Sequence, residues 1–202
     1  IENNDTGQNS LLKDSELIIN LGKWQNYSLS ALIEETKKYS DAGDKIDYIS
    51  KQFLEIPYKA DTLIGAKDLQ EKFVINLESV DCSTLLDYVF SLAIADNLSD
   101  FQNKLKFIRY KLGEVSFYSR NHFFSQWIKN NADYVVNISG NFKEAVCGTK
   151  KLNRKTDNGY WVDGLPVFEE EICYLPRKIL LDELFYSNFK NGDIVGFTTE
   201  KE

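Results

Sequence analysis

The segment Val80-Asp81-Cys82-Ser83-Thr84-Leu85-Leu86-Asp87-Tyr88-Val89 constrains this chain more than any other. A polar triplet, Asp81-Cys82-Ser83, stands directly before an apolar run at helical spacing: Leu85, Leu86, Val89, Phe90, Leu92 and Ala93. The pattern predicts a helix to about Ala95 with Cys82 at or just before its N-terminus. Unpaired N–H groups and the helix dipole at such a position favour a thiolate. A thiolate is the nucleophilic form of cysteine, so Cys82 is the candidate catalytic nucleophile. The plainer reading is a small buried apolar residue, which a free cysteine often is.

The bulk properties narrow the partners. The 202 residues are 43% hydrophobic and 27% charged, an ordinary globular composition that suits a single domain. Net charge is −7, so the chain is a poor candidate for gripping nucleic acid through phosphates. Lys150-Lys151 and Arg154-Lys155 read as a short solvated loop. No apolar stretch approaches the roughly 20 residues needed to span a membrane. The chain begins at Ile1, which suggests a processed or trimmed start and a removed export signal. Residues 1–10 are polar and read as a mobile tail, with residues 11–202 as a single domain.

Along the chain, the predicted helices come first. One lies over residues 28–38, with Leu29, Leu32, Ile33 and Lys37 on one stripe. A second spans Asp41 to Phe53, with Ile46, Ile49 and Phe53 on one face, and stops before Ile56-Pro57-Tyr58. Phe73–Leu77 is a strand candidate. Ser99 is expected to cap a helix whose stripe is Phe101, Leu105, Ile108 and Leu112, ended by Gly113. Residues 115–118 read as extended, Arg120–Asn131 as a helix and Tyr134–Ile138 as a strand. Glycines at 148, 159 and 164 suggest β-hairpins over 141–173. Ile179–Phe189 reads as a helix, Asn191-Gly192-Asp193 as a turn and Ile194–Phe197 as a strand. Helices followed by strands argue for an α+β fold.

The remaining chemistry is sparse. Three cysteines, Cys82, Cys147 and Cys173, fit no zinc spacing, and a single histidine makes no His-rich metal site, so neither metal nor cofactor is expected. Cys147 and Cys173 are either bridged or buried thiols. His122 is open to three readings: general base for Cys82, anion binder with Arg120, or structural histidine beside Trp127. Glu34/Glu35 and Glu169/Glu170/Glu171 read as solvated faces rather than a glycosidase pair. Tyr160-Trp161 beside Asn158-Gly159 is either core or the lining of a sugar-binding groove.

Taken together, Ile56-Pro57-Tyr58, Asp81-Cys82-Ser83 and Gly192-Asp193-Ile194-Val195 resemble the NlpC superfamily of bacterial cell-wall cysteine peptidases. Phe73-Val74-Ile75-Asn76-Leu77, Ile108-Arg109-Tyr110 and the block Arg120-x-His122-Phe123-Phe124-x-x-Trp127 are similar to its N-acetylmuramoyl-L-alanine-amidase-like branch. The resemblance covers about residues 42–198 and implies a papain-like α+β fold, with the Cys-bearing helix packed on an antiparallel sheet. It implies hydrolysis of an amide bond in peptidoglycan fragments by an exported, periplasmic or envelope enzyme. Cys82 matches the nucleophile, and Tyr58 the tyrosine that assists the oxyanion site. Asp81 and Ser83 match residues flanking the nucleophile in the substrate cleft, and Arg120 and His122 match a block facing substrate. The family's catalytic histidine, on the strand after Gly-Asp-x-Val, has no counterpart before Glu202, which implies either truncation, the favoured reading, or that His122 takes the role. A stem-peptide endopeptidase and a non-catalytic wall-binding module are the rival functions, and the sequence gives no oligomeric state.

Overall fold

Apolar stripes and capping side chains set the helices in the computed structural model, which describes residues 16–181 and 183–198. Strand β1 (Leu17–Asn20) leads into helix α1 (Asn26–Thr36), which buries Leu29, Leu32, Ile33 and Thr36. Lys37, expected on that stripe, is exposed just beyond the helix end. Asp41 caps α2 (Ala42–Gln52) by accepting from the backbone N–H groups of Gly43 and Asp44. Strand β2 (Phe73–Asn76) then pairs in parallel with β1, Leu17 opposite Phe73 and Asn20 opposite Asn76. Parallel pairing requires a long crossover, and α1 with α2 supplies it. Nothing in the sequence pattern marked β1, whose residues are mostly exposed.

Helices α3 (Cys82–Ala93) and α4 (Leu98–Arg109) pack together over this crossover. Their apolar faces join those of α1, α2 and β2 in a core that includes Ile33, Ile49, Phe73, Ile75, Leu92 and Leu105. A smaller cluster of Phe90, Ile108 and Trp127 anchors α5 (Phe124–Asn130). The packing of α3 differs from the expected seat on an antiparallel sheet. Its neighbours are α4, α2 and α1, with the parallel β1–β2 pair beside them. The antiparallel element is a separate hairpin of β3 (Val146–Leu152) and β4 (Phe168–Tyr174). The result is a mixed α and β architecture with two small sheets among the described residues.

Several predicted elements are redrawn by local chemistry. Asn97 rather than Ser99 caps α4, accepting from the Asp100 N–H at 3.0 Å, and Leu98 packs on the core. The helix stops at Arg109, so Leu112 is 83% exposed and sits at φ 56°. Residues 116–119 form a turn closed by Ser119 N–H donating to the Ser116 carbonyl, not an extended stretch. The expected helix over Arg120–Asn131 begins only at Phe124, because Arg120 bridges to Tyr110 and the Asn121 N–H donates to the Arg109 carbonyl. Tyr134–Ile138 is not a strand: buried Asn131 holds the preceding turn by donating to the carbonyls of Ile108 and Trp127. Ile179–Phe189 is not one helix but lies across two short 3₁₀ stretches, Arg177–Leu181 and Glu183–Asn188. There Phe185 and Phe189 cluster with Phe142. The Asn191-Gly192 turn is present, but Ile194–Phe197 pairs with no strand among the described residues.

The hairpin corrects two further readings. Lys150-Lys151 belongs to β3, opposite Glu170 and Glu169, rather than to a solvated loop. Glu170 is buried, accepting from Ser125 Oγ at 2.9 Å and pairing with Lys129 at 2.7 Å, and so ties the hairpin to α5. Cys147 and Cys173 face each other in register and are joined by a disulfide. No helix among the described residues is long and apolar enough to cross a membrane. The polar tail proposed for residues 1–10 lies outside the described residues.

Candidate functional site

Cys82 is the first residue of α3 and is exposed, as its flanking triplet predicted. Asp81 builds this start. Its Oδ1 accepts from the Thr84 N–H at 2.7 Å and from Thr84 Oγ1 at 2.9 Å, while Thr84 Oγ1 accepts from the Asp81 N–H. This reciprocal box satisfies two otherwise unpaired groups and fixes the first turn around Cys82 and exposed Ser83. The carboxylate of Asp81 is thereby committed to the turn.

Backbone pairing brings Tyr58 to the same place. The Val80 N–H donates to the Pro57 carbonyl and the Lys59 N–H to the Val80 carbonyl, each at 3.0 Å. Tyr58 therefore lies opposite Val80, two residues before Cys82. Its side chain is 74% exposed, so this surface presents both a thiol and a phenol.

Arg120 and His122 belong to a different constellation. Arg120 Nη1 lies 3.2 Å from Glu71 Oε1, which also accepts from the Tyr110 hydroxyl at 2.9 Å. Glu71 is 4% exposed, and burial pushes its carboxyl above the ordinary range against the pull of Arg120 and Tyr110. His122 Nε2 lies 2.7 Å from the Phe117 carbonyl, and its ring packs edge-on against Phe117 at 4.7 Å. A carbonyl only accepts, so Nε2 carries the proton and Nδ1 is left as an acceptor. Burial pushes the imidazole down to about 4, with the nearby Arg120 charge adding to that effect. His122 is therefore a neutral side chain at neutral pH, oriented by Phe117.

Both residues line a cavity of about 510 Å³ with Asp61, Lys67, Asp68 and Trp161. A neighbouring hollow of about 380 Å³ lies between residues 66–71 and 115–118, reached by Glu71. Cys82 lines neither. The six residues picked out by the sequence thus fall into two groups: Tyr58, Asp81, Cys82 and Ser83 at the head of α3, and Arg120 with His122 in the cavity. Glu71 and Asp61 gave no sequence signal, since a lone carboxylate in an irregular stretch reads as solvent-exposed.

The motif blocks also carry structure. Arg109 is buried, donating from Nε to Asp87 Oδ2 at 2.8 Å and from Nη1 to the Val74 carbonyl at 2.6 Å. Trp127 Nε1 donates to the other oxygen of Asp87 at 3.0 Å. Burial works against the charge of Arg109, but Tyr88, Asp87 and Tyr110 together hold its guanidinium above its ordinary range. One ion pair thus ties β2, α3, α4 and α5 together.

An N-acetylmuramoyl-L-alanine amidase-like family model matches residues 48–202, a span that contains every residue of both groups. The chain belongs to this family. Among solved structures, a Legionella pneumophila protein carrying the family model DUF1460 is similar with 24% identity and a TM-score of 0.66. That match covers 82% of this chain and 69% of the other, and it shows a shared fold. An N-acetylmuramoyl-L-alanine amidase from Bacteroides uniformis is 29% identical over 55% of this chain, with a TM-score of 0.46. The chain spans about half the length of that amidase, 49%. Among curated protein sequences, none matches.

Proposed function

We propose that this family member is a cysteine amidase of the NlpC superfamily that cleaves the bond between N-acetylmuramoyl and L-alanine in peptidoglycan fragments. The observation carrying this reading is the exposed Cys82 at the capped head of α3, inside the segment matched by the family model. The sulfur attacks the lactyl carbonyl carbon and forms a tetrahedral adduct. Backbone N–H groups of the first turn, with the Tyr58 hydroxyl, face the oxygen that becomes negative. Collapse breaks the C–N bond, the proton given up by the thiol ends on the leaving L-alanine nitrogen, and water then hydrolyses the thioester to the lactyl carboxylic acid and the restored thiol. In this reading His122 is not the base for Cys82: its ring is oriented by Phe117 and lines the cavity with Arg120, which Cys82 does not line. The Cys147–Cys173 disulfide supports a periplasmic or envelope location, where such bonds persist and where the substrate lies.

The test is incubation with N-acetylmuramoyl-L-alanyl-D-isoglutamine followed by mass spectrometry. The reading expects free N-acetylmuramic acid and a peptide with a free L-alanine amine, and no turnover by Cys82→Ala. A product retaining the muramoyl–alanine bond on a longer-stem substrate would establish an endopeptidase instead. Turnover that survives Cys82→Ala would overturn the reading, and iodoacetamide reactivity of Cys82 no greater than that of free cysteine would point to a binding module.

A further inference from the structure

The turn after α4 carries a residue that its own geometry does not favour. Leu112 at φ 56° and Gly113 at φ 72° both have left-handed backbone, and the Glu114 N–H donates to the Lys111 carbonyl at 3.3 Å. That is a turn of type I′, in which Asn, Asp or Gly is preferred at both central positions. An aliphatic side chain is strained there. Leu112 gains no burial in return, since it is 83% exposed. Phe107, in the last turn of α4 and 56% exposed, sets its ring against Gly113, where an added Cβ would come within 3.1 Å of it. Two large apolar side chains therefore project from the end of α4.

The charges around them have one sign. From Phe101 to Gly113 the sequence contains no Asp or Glu, in a chain whose net charge is −7. Lys104, Lys106 and Lys111 lie in that stretch, and none of the three is ion-paired among the described residues. Lys104 Nζ lies 5.8 Å from the ring centroid of half-exposed Tyr134, and Lys106 Nζ lies 5.3 Å from that of Phe73. At 3.6 residues per turn, Lys104 and Lys106 fall on either side of Phe107. Asp100, at the other end of α4, is engaged with the Asp96 N–H, and exposed Glu114 marks the acidic edge of the patch.

This combination selects the partner. None of these residues lines either cavity, so the tip offers protruding side chains rather than a pocket. A lipid surface takes such a tip: apolar ends enter the acyl boundary, while lysine stems carry their charges to anionic headgroups. We propose that the end of α4 is a docking surface for an anionic phospholipid bilayer, with Leu112 and Phe107 entering the boundary and Lys104, Lys106 and Lys111 facing the phosphates. The acidic remainder of the protein is repelled by the same headgroups, which orients the molecule on the surface. The contact is independent of any chemistry at Cys82.

Vesicle co-sedimentation of the full chain tests the surface, comparing equimolar phosphatidylcholine and phosphatidylglycerol with phosphatidylcholine alone at low ionic strength. Saturable binding to the anionic vesicles is expected for wild type and Cys82→Ala alike, weakening as salt is added. The double variant Lys104→Gln/Lys111→Gln should lower the partition coefficient by about tenfold or more. Leu112→Asn should lower it by about fivefold or more, with a Tm equal to or above that of wild type because Asn suits the turn. Tyr27→Gln, at a side chain 82% exposed on α1, should bind as wild type does. No binding, equal binding to neutral and anionic vesicles, or unchanged binding in Leu112→Asn overturns the proposal. So does an equal loss in Tyr27→Gln. A lipid-free dimer that Leu112→Asn dissociates in sedimentation velocity would overturn it too, making the tip a contact between two copies of this chain.

Discussion

Gly65 and Glu71 are fitted to each other: a Cβ on residue 65 would overlap Oε2 of Glu71. Gly65 also sits at φ 153°, which other residues rarely adopt. Glu71 in turn holds Arg120 at the cavity and accepts from Tyr110. One glycine therefore lets a buried carboxylate reach its two partners.

Gly65→Ala is expected to cost about 2–3 kcal/mol, because it adds both backbone strain and displacement of a buried carboxyl group. Gly148→Ala is the control, since a Cβ there meets nothing within 4 Å. Urea unfolding of the two variants checks the contrast. Equal stabilities would mean that Glu71 moves aside freely and does not fix Arg120.

The Asp87–Arg109 pair should behave as a structural knot. Asp87→Ala leaves the buried Arg109 guanidinium without its carboxylate and removes the acceptor of Trp127 Nε1. Such a break costs about 3–5 kcal/mol. Equilibrium denaturation should show that loss, with partial recovery in the double variant Asp87→Ala/Arg109→Met, which removes the unpaired buried charge. If Asp87→Ala unfolds at wild-type denaturant concentrations, the four elements are held by apolar packing alone.

At the head of α3, Asp81→Ala should cost about 0.5–2 kcal/mol through loss of the N-cap. Asp81→Asn keeps an acceptor for the Thr84 N–H and should recover most of it. If Asp81 acts on Cys82 only by fixing the turn, activity should follow the same order, with Asn close to wild type. Full stability together with lost activity in Asp81→Asn would instead assign the charge itself a role.

What the sequence made legible was local. The triplet before Leu85 and the 3.6-residue stripes of α1 to α4 each lie within about a dozen residues of the side chains that decide them. What it hid depends on partners far along the chain. β1 is a mostly exposed strand that pairs with β2, 56 residues later. Arg120 reads as part of a helix until Tyr110 and Glu71 pull it into an extended bridge. Arg109, Tyr110 and Trp127 entered the family resemblance beside Arg120 and His122, yet they are buried in ion-paired scaffolding. A motif block thus mixes residues that face the cavity with residues that hold it, and spacing alone does not separate them.

His122 offers a pH test of that scaffolding. Its imidazole, desolvated and beside the Arg120 charge, is held down to about 4 against an ordinary value near 6.5, although its bond to Phe117 pulls the other way. The unfolded chain takes up a proton near pH 6.5, and the folded protein does so only near 4. The stabilisation from this group is complete above pH 6.5 and is lost as pH falls towards 4. Glu71, whose carboxyl is raised by burial, acts with the opposite sign, favouring the folded state at low pH. The two are separated by comparing wild type with His122→Gln, which can still donate to Phe117 but does not titrate. The stability difference between pH 7 and pH 5 should be smaller in the variant, and the ring protons of His122 should show no titration between pH 7 and pH 5.5 by NMR. A midpoint near 6.5 would place the imidazole in solvent and remove it from the cavity wall.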